Sequence, residues 1–198
     1  MSHKIITIAR QFGSGGHEVA QRLSDQLGIP LYDRNLVEMA AERMGHSPVS
    51  IEKADESALS SFLAGYQIPK EPNSVTGYGL SLNDSTYVTQ TIIIEALAQK
   101  GPCVIVGRCA DYILRDKADC LRVFIHADLK FRAERIVQEY GERAESPEQR
   151  LKDKDKRRAA YHRFYTDMKC GHAQNYDLTL NSGTLGIRQC VNIIKGLY

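Results

Sequence analysis

The chain has 198 residues, of which 42% are hydrophobic and 25% charged, with a formal net charge of +2. That length supports one domain with a substantial core plus a small insert or lid. The balanced charge excludes a global pull toward nucleic acid or membrane surfaces, and no run of about 18 apolar residues suggests a membrane-spanning helix.

The β-branched run at 4–9 predicts a buried strand. It leads into Arg10-Gln11-Phe12-Gly13-Ser14-Gly15-Gly16-His17 and then a helix with Val19, Leu23 and Leu27 at i, i+4 spacing, stopped by Gly28. Further strands are expected at 30–32, 103–107, 121–126 and 177–180. Helices are expected at 35–44, 50–63, 85–99, 109–114, 128–139, 146–168 and 184–195, with Asp128 as an N-cap. The segment 65–84 is rich in Gly, Pro, Ser and Asn and reads as one long loop. Strands alternating with helices imply an α/β fold with a parallel sheet covered on both faces. Ligands in such folds sit beyond the carboxyl ends of the strands. The five cysteines are scattered without C-x-x-C spacing and read as reduced thiols of a cytoplasmic protein without a metal site. The amino-terminal strand pattern carries no signal-peptide h-region.

Four segments carry candidate chemistry. The first is the glycine turn between a strand and a helix, the layout of a phosphate-binding loop. Glycines let several N–H groups point into one hollow, and the helix adds its orphan N–H groups and positive dipole end. A P-loop of the G-x-x-x-x-G-K-[ST] type carries Lys then Ser or Thr, where this chain has Gly16 and His17. Arg10 or His17 can supply the missing charge. Otherwise the turn needs glycine for sterics only. The second segment places Asp33 after a short strand, as a site carboxylate, a helix cap, or both. The third delivers Gly107-Arg108 from an apolar strand, and the Arg fork suits a phosphate. Asp111 follows, as a sugar or base acceptor or a cap. The fourth is the basic helix around 149–165, where Asp155, Arg158, Tyr161 and Tyr165 fall three or four apart on one face. That face suits a lid over phosphates and a base. A solvated helix laced with ion pairs, or a nucleic-acid face, would show similar charge.

Together the segments 9–18, Tyr32-Asp33, 106–114, 155–161 and Asn175-Tyr176-Asp177-Leu178…Asn181-Ser182 resemble the cytidylate kinase-like family of P-loop nucleoside monophosphate kinases. The resemblance runs nearly end to end. It implies an adenylate-kinase-like, three-layer α/β/α P-loop NTPase core with a five-stranded parallel sheet, a monophosphate-binding insert near 34–86 and a helical lid near 140–168. It also implies Mg2+-dependent transfer of the ATP γ-phosphoryl group to CMP, dCMP or a similar acceptor. By position, Gly13, Ser14, Gly15, Gly16 and His17 would hold the ATP phosphates. Arg108 would hold the acceptor phosphate, aided by Asp33, Asp111, Asp155 and Tyr161. Arg158 would close over the transferring group, with Arg157 and Arg150 as looser matches, and Arg10 would help the glycine loop hold the donor. Two positions depart from the pattern of true cytidylate kinases: Gly16 in place of the loop Lys, and Val106 in place of an acid before Gly-Arg. Those departures keep two alternatives open, a kinase for another small phosphorylatable metabolite and a nucleotide sensor with weak turnover. ATP and a monophosphate are the expected partners, without nucleic acid or membrane.

Overall fold

The structure is a computed structural model that describes residues 4–51, 82–117, 119–141, 143 and 145–198. Five strands form one all-parallel sheet: β1 (Ile5–Arg10), β2 (Leu31–Tyr32), β3 (Cys103–Val106), β4 (Cys120–His126) and β5 (Leu178–Asn181), in the order β2-β3-β1-β4-β5. The expected parallel α/β architecture is therefore present. β1 is central, with Ile5 beside both Cys103 and Cys120. Strands covered on both faces need apolar residues throughout rather than in alternation, and Ile5, Ile6, Thr7, Ile8 and Ala9 are all buried.

Helices cover the two faces. On one face, α1 (Gly16–Leu27) and a carboxyl-terminal helix pack Val19, Leu23 and Ile194 onto Ile6, Ile8, Val104 and Ile125. On the other, α2 (Asn35–Met44) and α3 (Leu82–Lys100) bring Leu36 and Ile94 onto Ile5 and Ile105. Further α-helices among the described residues are α4 (Ala110–Ile113), α5 (Leu129–Tyr140), α6 (Pro147–Thr166), α7 (Ser182–Leu185) and α8 (Ile187–Leu197). Asp128 caps α5 as expected, accepting the Phe131 N–H at 2.8 Å, and Ser146 caps α6 in the same way through Gln149. The single helix expected over 184–195 is two, broken where Gly186 takes a φ of 77°. Most of the helix expected over 50–63, of the loop expected over 65–84 and of the expected insert lies outside the described residues; the last three residues of that loop, 82–84, are instead the first turn of α3, which starts before the expected 85. Among the described residues, no helix is long and apolar enough to cross a membrane.

All five strands point the same way, so their carboxyl ends share one edge. Arg10, Asp33 and Gly107 lie at that edge, and α6 crosses it.

Candidate active site

A cavity of about 900 Å³ opens at this edge. Its walls come from the glycine loop, Asp33, the Gly107–Cys109 turn and one side of α6, including Lys154, Arg157, Arg158 and Tyr161. Seven Lys and Arg side chains line it against four Asp and Glu. That local excess of positive charge is larger than the net +2 of the whole chain.

The glycine loop is held from inside. Gly15 sits at the amino end of α1 with a φ of 76°, and a Cβ there would collide with Ile187. Ser14 is fully buried, and its hydroxyl donates to the carbonyls of Gln11 at 2.9 Å and Ile125 at 3.1 Å. Only the backbone of Ser14 is left to face a ligand. The Ser182 hydroxyl ties the loop to the end of β5 by donating to the Ser14 carbonyl at 2.6 Å.

Arg10 fills the space that a loop lysine would use. A Cβ on Gly16 would lie 2.7 Å from the Arg10 Cβ and 3.0 Å from its Cγ. The Arg10 side chain then crosses toward β3, where a Cβ on Gly107 would collide with its guanidinium. Two glycines thus make room for one arginine. Its Nη2 reaches Asp33 at 3.4 Å. Burial, then the nearby Arg158, push the Arg10 pKa down to about 9, with Asp33 pulling the other way and Arg108 adding to the fall. Burial lowers the Arg158 pKa as well. Both stay cationic at neutral pH, so the cavity holds positive charge that a bound anion would relieve.

Asp33 is not the helix cap that its position suggests. Its carboxylate turns to Arg10 and to His17, whose Nδ1 lies 2.7 Å from Oδ2. Arg34, already in helical conformation, occupies the cap position without a side-chain bond. His17 is 62% exposed and faces Asp33.

Gly107, Arg108 and Cys109 are three consecutive left-handed residues, with φ of 73°, 54° and 55°. A non-glycine residue there costs about 1–2 kcal/mol. The strain aims Arg108 into the cavity. Asp111, only 6% exposed, does not cap α4; its Oδ2 lies 2.9 Å from Nε2 of His162 on α6.

The face expected on α6 is a docking stripe as well as a cavity wall. Asp155 accepts the Phe12 N–H at 2.7 Å and pairs with Arg132 at 2.5 Å, and it does not line the cavity. Arg132, buried on α5, also donates to the carbonyls of Ala127 and Phe12. Arg158 lies 5.5 Å above the Phe12 ring. Tyr161 donates to Gln90 at 3.2 Å, and Tyr165 stacks on Tyr87 at 4.1 Å. Arg150 is buried and donates to the Gly141 carbonyl. The structure therefore brings Arg10, the loop glycines, His17, Asp33, Arg108, Asp111, Arg157, Arg158 and Tyr161 around one cavity.

Sequence reasoning missed Arg132, Arg135 and His162. Arg135 lines the cavity and pairs with Glu18 at 2.7 Å. His162 continues the Asp155–Arg158 stripe by four residues, which was a legible signal. Arg132 and Arg135 look like ordinary charges of an amphipathic helix, and nothing in the sequence marks them.

The family model described as cytidylate kinase-like family matches residues 5–184. The chain belongs to the cytidylate kinase-like family. No curated protein matches it. A crystal structure of an uncharacterized protein from Eubacterium ventriosum ATCC 27560 is 29% identical, with a TM-score of 0.70, and the match covers 98% of this chain and 97% of that one. A shikimate kinase from Acinetobacter baumannii in complex with shikimate is 14% identical over 98% of this chain and 92% of its own, with a TM-score of 0.53. A gluconokinase from Sinorhizobium meliloti 1021 is also 14% identical, over 100% of this chain and 95% of its own, with a TM-score of 0.55. These two likenesses show a shared P-loop kinase fold. Where the G-x-x-x-x-G-K-[ST] pattern carries lysine this chain has Gly16, and the Arg10 side chain runs beside that position.

Proposed function

We propose that this member of the cytidylate kinase-like family transfers the γ-phosphoryl group of ATP to a nucleoside monophosphate, with CMP or dCMP as the first candidates. The observation that carries the reading is the convergence of Arg10, Arg108 and Arg158 on one cavity at the mouth of the glycine loop. Phosphoryl transfer needs little covalent help from the protein; it needs positioned reactants and neutralised charge. The loop N–H groups and Arg10 would hold the donor phosphates. Arg108 would grip the acceptor phosphate with its planar fork. Arg157 and Arg158 would face the transferring group from α6. An acceptor phosphate oxygen attacks in line, so no side chain need serve as nucleophile.

Mg2+ travelling with ATP keeps most of its ligands as water and phosphate oxygen, and needs one or two protein carboxylates. Asp33 lines the cavity, but with Oδ1 engaged by Arg10 and Oδ2 by His17 it does not fit that demand as it stands. Five free thiols accord with a reducing cytoplasm.

The test is ADP release with Mg-ATP against a panel of nucleoside monophosphates. The expected result is turnover on CMP or dCMP well above water hydrolysis, and its loss in Arg108→Ala. ATP binding with no turnover on any monophosphate would refute the reading and favour another phosphorylatable metabolite or a nucleotide sensor.

A further inference from the structure

The inner wall of the cavity contains a histidine that phosphoryl transfer does not use. The His162 side chain is 7% exposed and that of Asp111 is 5% exposed. His162 Nε2 lies 2.9 Å from Asp111 Oδ2. On the other side, Nδ1 lies 3.2 Å from the Met168 carbonyl and 3.1 Å from the Thr166 hydroxyl oxygen. That hydroxyl has already committed its hydrogen, donating to the His162 carbonyl at 2.6 Å. Its oxygen also accepts the Met168 N–H at 3.1 Å. Each ring nitrogen therefore faces acceptors only. A neutral imidazole has one N–H and one lone pair, so it would leave one nitrogen facing an acceptor with no hydrogen. The imidazolium donates on both sides. It also sits in the last turns of α6, where the helix dipole favours a cation.

The two ends of this bridge belong to different parts of the site. Asp111 follows the strained Gly107–Cys109 turn that carries Arg108. Thr166 and Met168 close the carboxyl end of α6, the helix that carries Arg157 and Arg158. We infer that His162, as an imidazolium, is a positioning residue that latches the Arg108 turn to α6, so that the two cationic arms of the cavity are set together only while its ring is protonated. The latch follows from the hydrogen-bond geometry; its part in gripping an acceptor phosphate rests on the phosphoryl-transfer reading.

The surroundings agree. Burial opposes the charge on His162, but the hydrogen bond and charge of Asp111, with the Met168 carbonyl, outweigh it and raise its pKa. Among the described residues, other groups that interact with Asp111 are Arg122 on β4, and Cys170 and Tyr176 in the segment after α6. Burial pushes the Cys170 thiol up to about 11 and Tyr176 higher still, so both stay neutral where the histidine titrates. A ring that holds both protons is no general base, so the role is positional. Loss of one proton would leave a single N–H to serve Asp111 and the Met168 carbonyl in turn, so both bonds weaken.

The test combines nitrogen-15 NMR of histidine-labelled protein with hydrogen exchange and calorimetry across pH. The expected spectrum shows His162 with both nitrogens protonated below the ordinary histidine value of about 6.5 and a midpoint above that value. The amides of 110–114 and 167–168 should lose protection together, by about tenfold or more, as pH passes that midpoint. In His162→Gln and in Asp111→Asn both segments should be loose at every pH, with a cooperative unfolding transition confirming that the chain stays folded. CMP binding should weaken along the same alkaline limb in the unaltered protein, and the limb should vanish in His162→Gln. A neutral ring at pH 6.5, or two segments that loosen independently, would overturn the latch. CMP binding without the shared limb would overturn its role in the grip. A latch that behaves as expected while CMP never binds would refute the phosphoryl-transfer reading instead.

Discussion

Gly16→Ala is the smallest change that tests whether Arg10 stands in the space of a loop lysine. The added Cβ would lie 2.7 Å from the Arg10 Cβ, 3.0 Å from its Cγ and 3.5 Å from the Ile125 Cβ. The first two are closer than ordinary contact, so one side must move. Arg10 is the last residue of the central strand and is held in register beside Ile125, so its Cβ has little room to retreat. Overpacking of this kind costs about 1–3 kcal/mol. Alanine in a helix offsets about 0.5–1 kcal/mol of that, because it restricts the unfolded chain more than glycine does. Gly16→Ala should therefore destabilise by about 0.5–2 kcal/mol net. Arg10→Ala leaves the offending Cβ in place, so the penalty should largely persist in that background. Arg10→Gly removes it, and there Gly16→Ala should become neutral or stabilising by about 0.5–1 kcal/mol. Urea unfolding of Arg10→Gly, Gly16→Ala, their combination and the unaltered protein gives a coupling energy, expected at about 1–3 kcal/mol. An equal effect of Gly16→Ala in both backgrounds would refute the shared-space argument.

Asp155→Asn should destabilise by about 2–3 kcal/mol in the same assay, because it weakens the bond to the Phe12 N–H and strips the carboxylate from buried Arg132. Arg10→Ala should weaken ATP far more than CMP in calorimetry; equal losses, or none, would remove Arg10 from the donor side. CMP at 100 times its dissociation constant should stabilise the protein by about 2.7 kcal/mol in a thermal-unfolding scan, and Arg108→Ala should abolish that gain. The raised His162 pKa fixes the sign of one pH effect. The folded protein binds the proton more tightly than the unfolded chain. This contribution is therefore fully present below about pH 6.5 and is lost as pH rises through the folded-state value. Unfolding free energy should fall along that alkaline limb, and His162→Gln should lack it.

The sheet was legible because its signals are local. Five short apolar runs set apart by helices with i, i+4 spacing leave few topologies, and glycine marks the ends of α1 and α2 at Gly28 and Gly45. The cavity was legible where a residue follows a strand, as Arg10, Asp33 and Arg108 do. What remained hidden were choices of partner. Asp33 has the position of a cap and the partners of a site carboxylate, because Arg10 and His17 reach it from other segments. Asp155 shares a helix face with Arg158, yet it is held by Arg132 and the Phe12 N–H across a long separation in sequence. The spacing of α6 shows which residues share a face. It does not show that this face meets a backbone N–H at its start and a buried carboxylate near its end.

The apparent defects of the loop form one arrangement. A lysine after Gly15 would bring its charge from the start of α1; here the charge comes from the end of β1. That origin makes the side chain of Arg10 run beside residue 16 and across residue 107, and a Cβ at either place would meet it. Gly16 is thus coupled to Arg10, and Gly107 serves Arg10 as well as the strained turn that presents Arg108. The change also alters the charge itself. An ammonium is a point charge, whereas a guanidinium is a fork that bonds two phosphate oxygens in one plane. On the proposed phosphoryl-transfer reading, such a fork between the glycine loop and Arg108 would face donor and acceptor phosphates together. Arg10 thus places its cation between the glycine loop and the Gly107–Cys109 turn rather than at the start of α1.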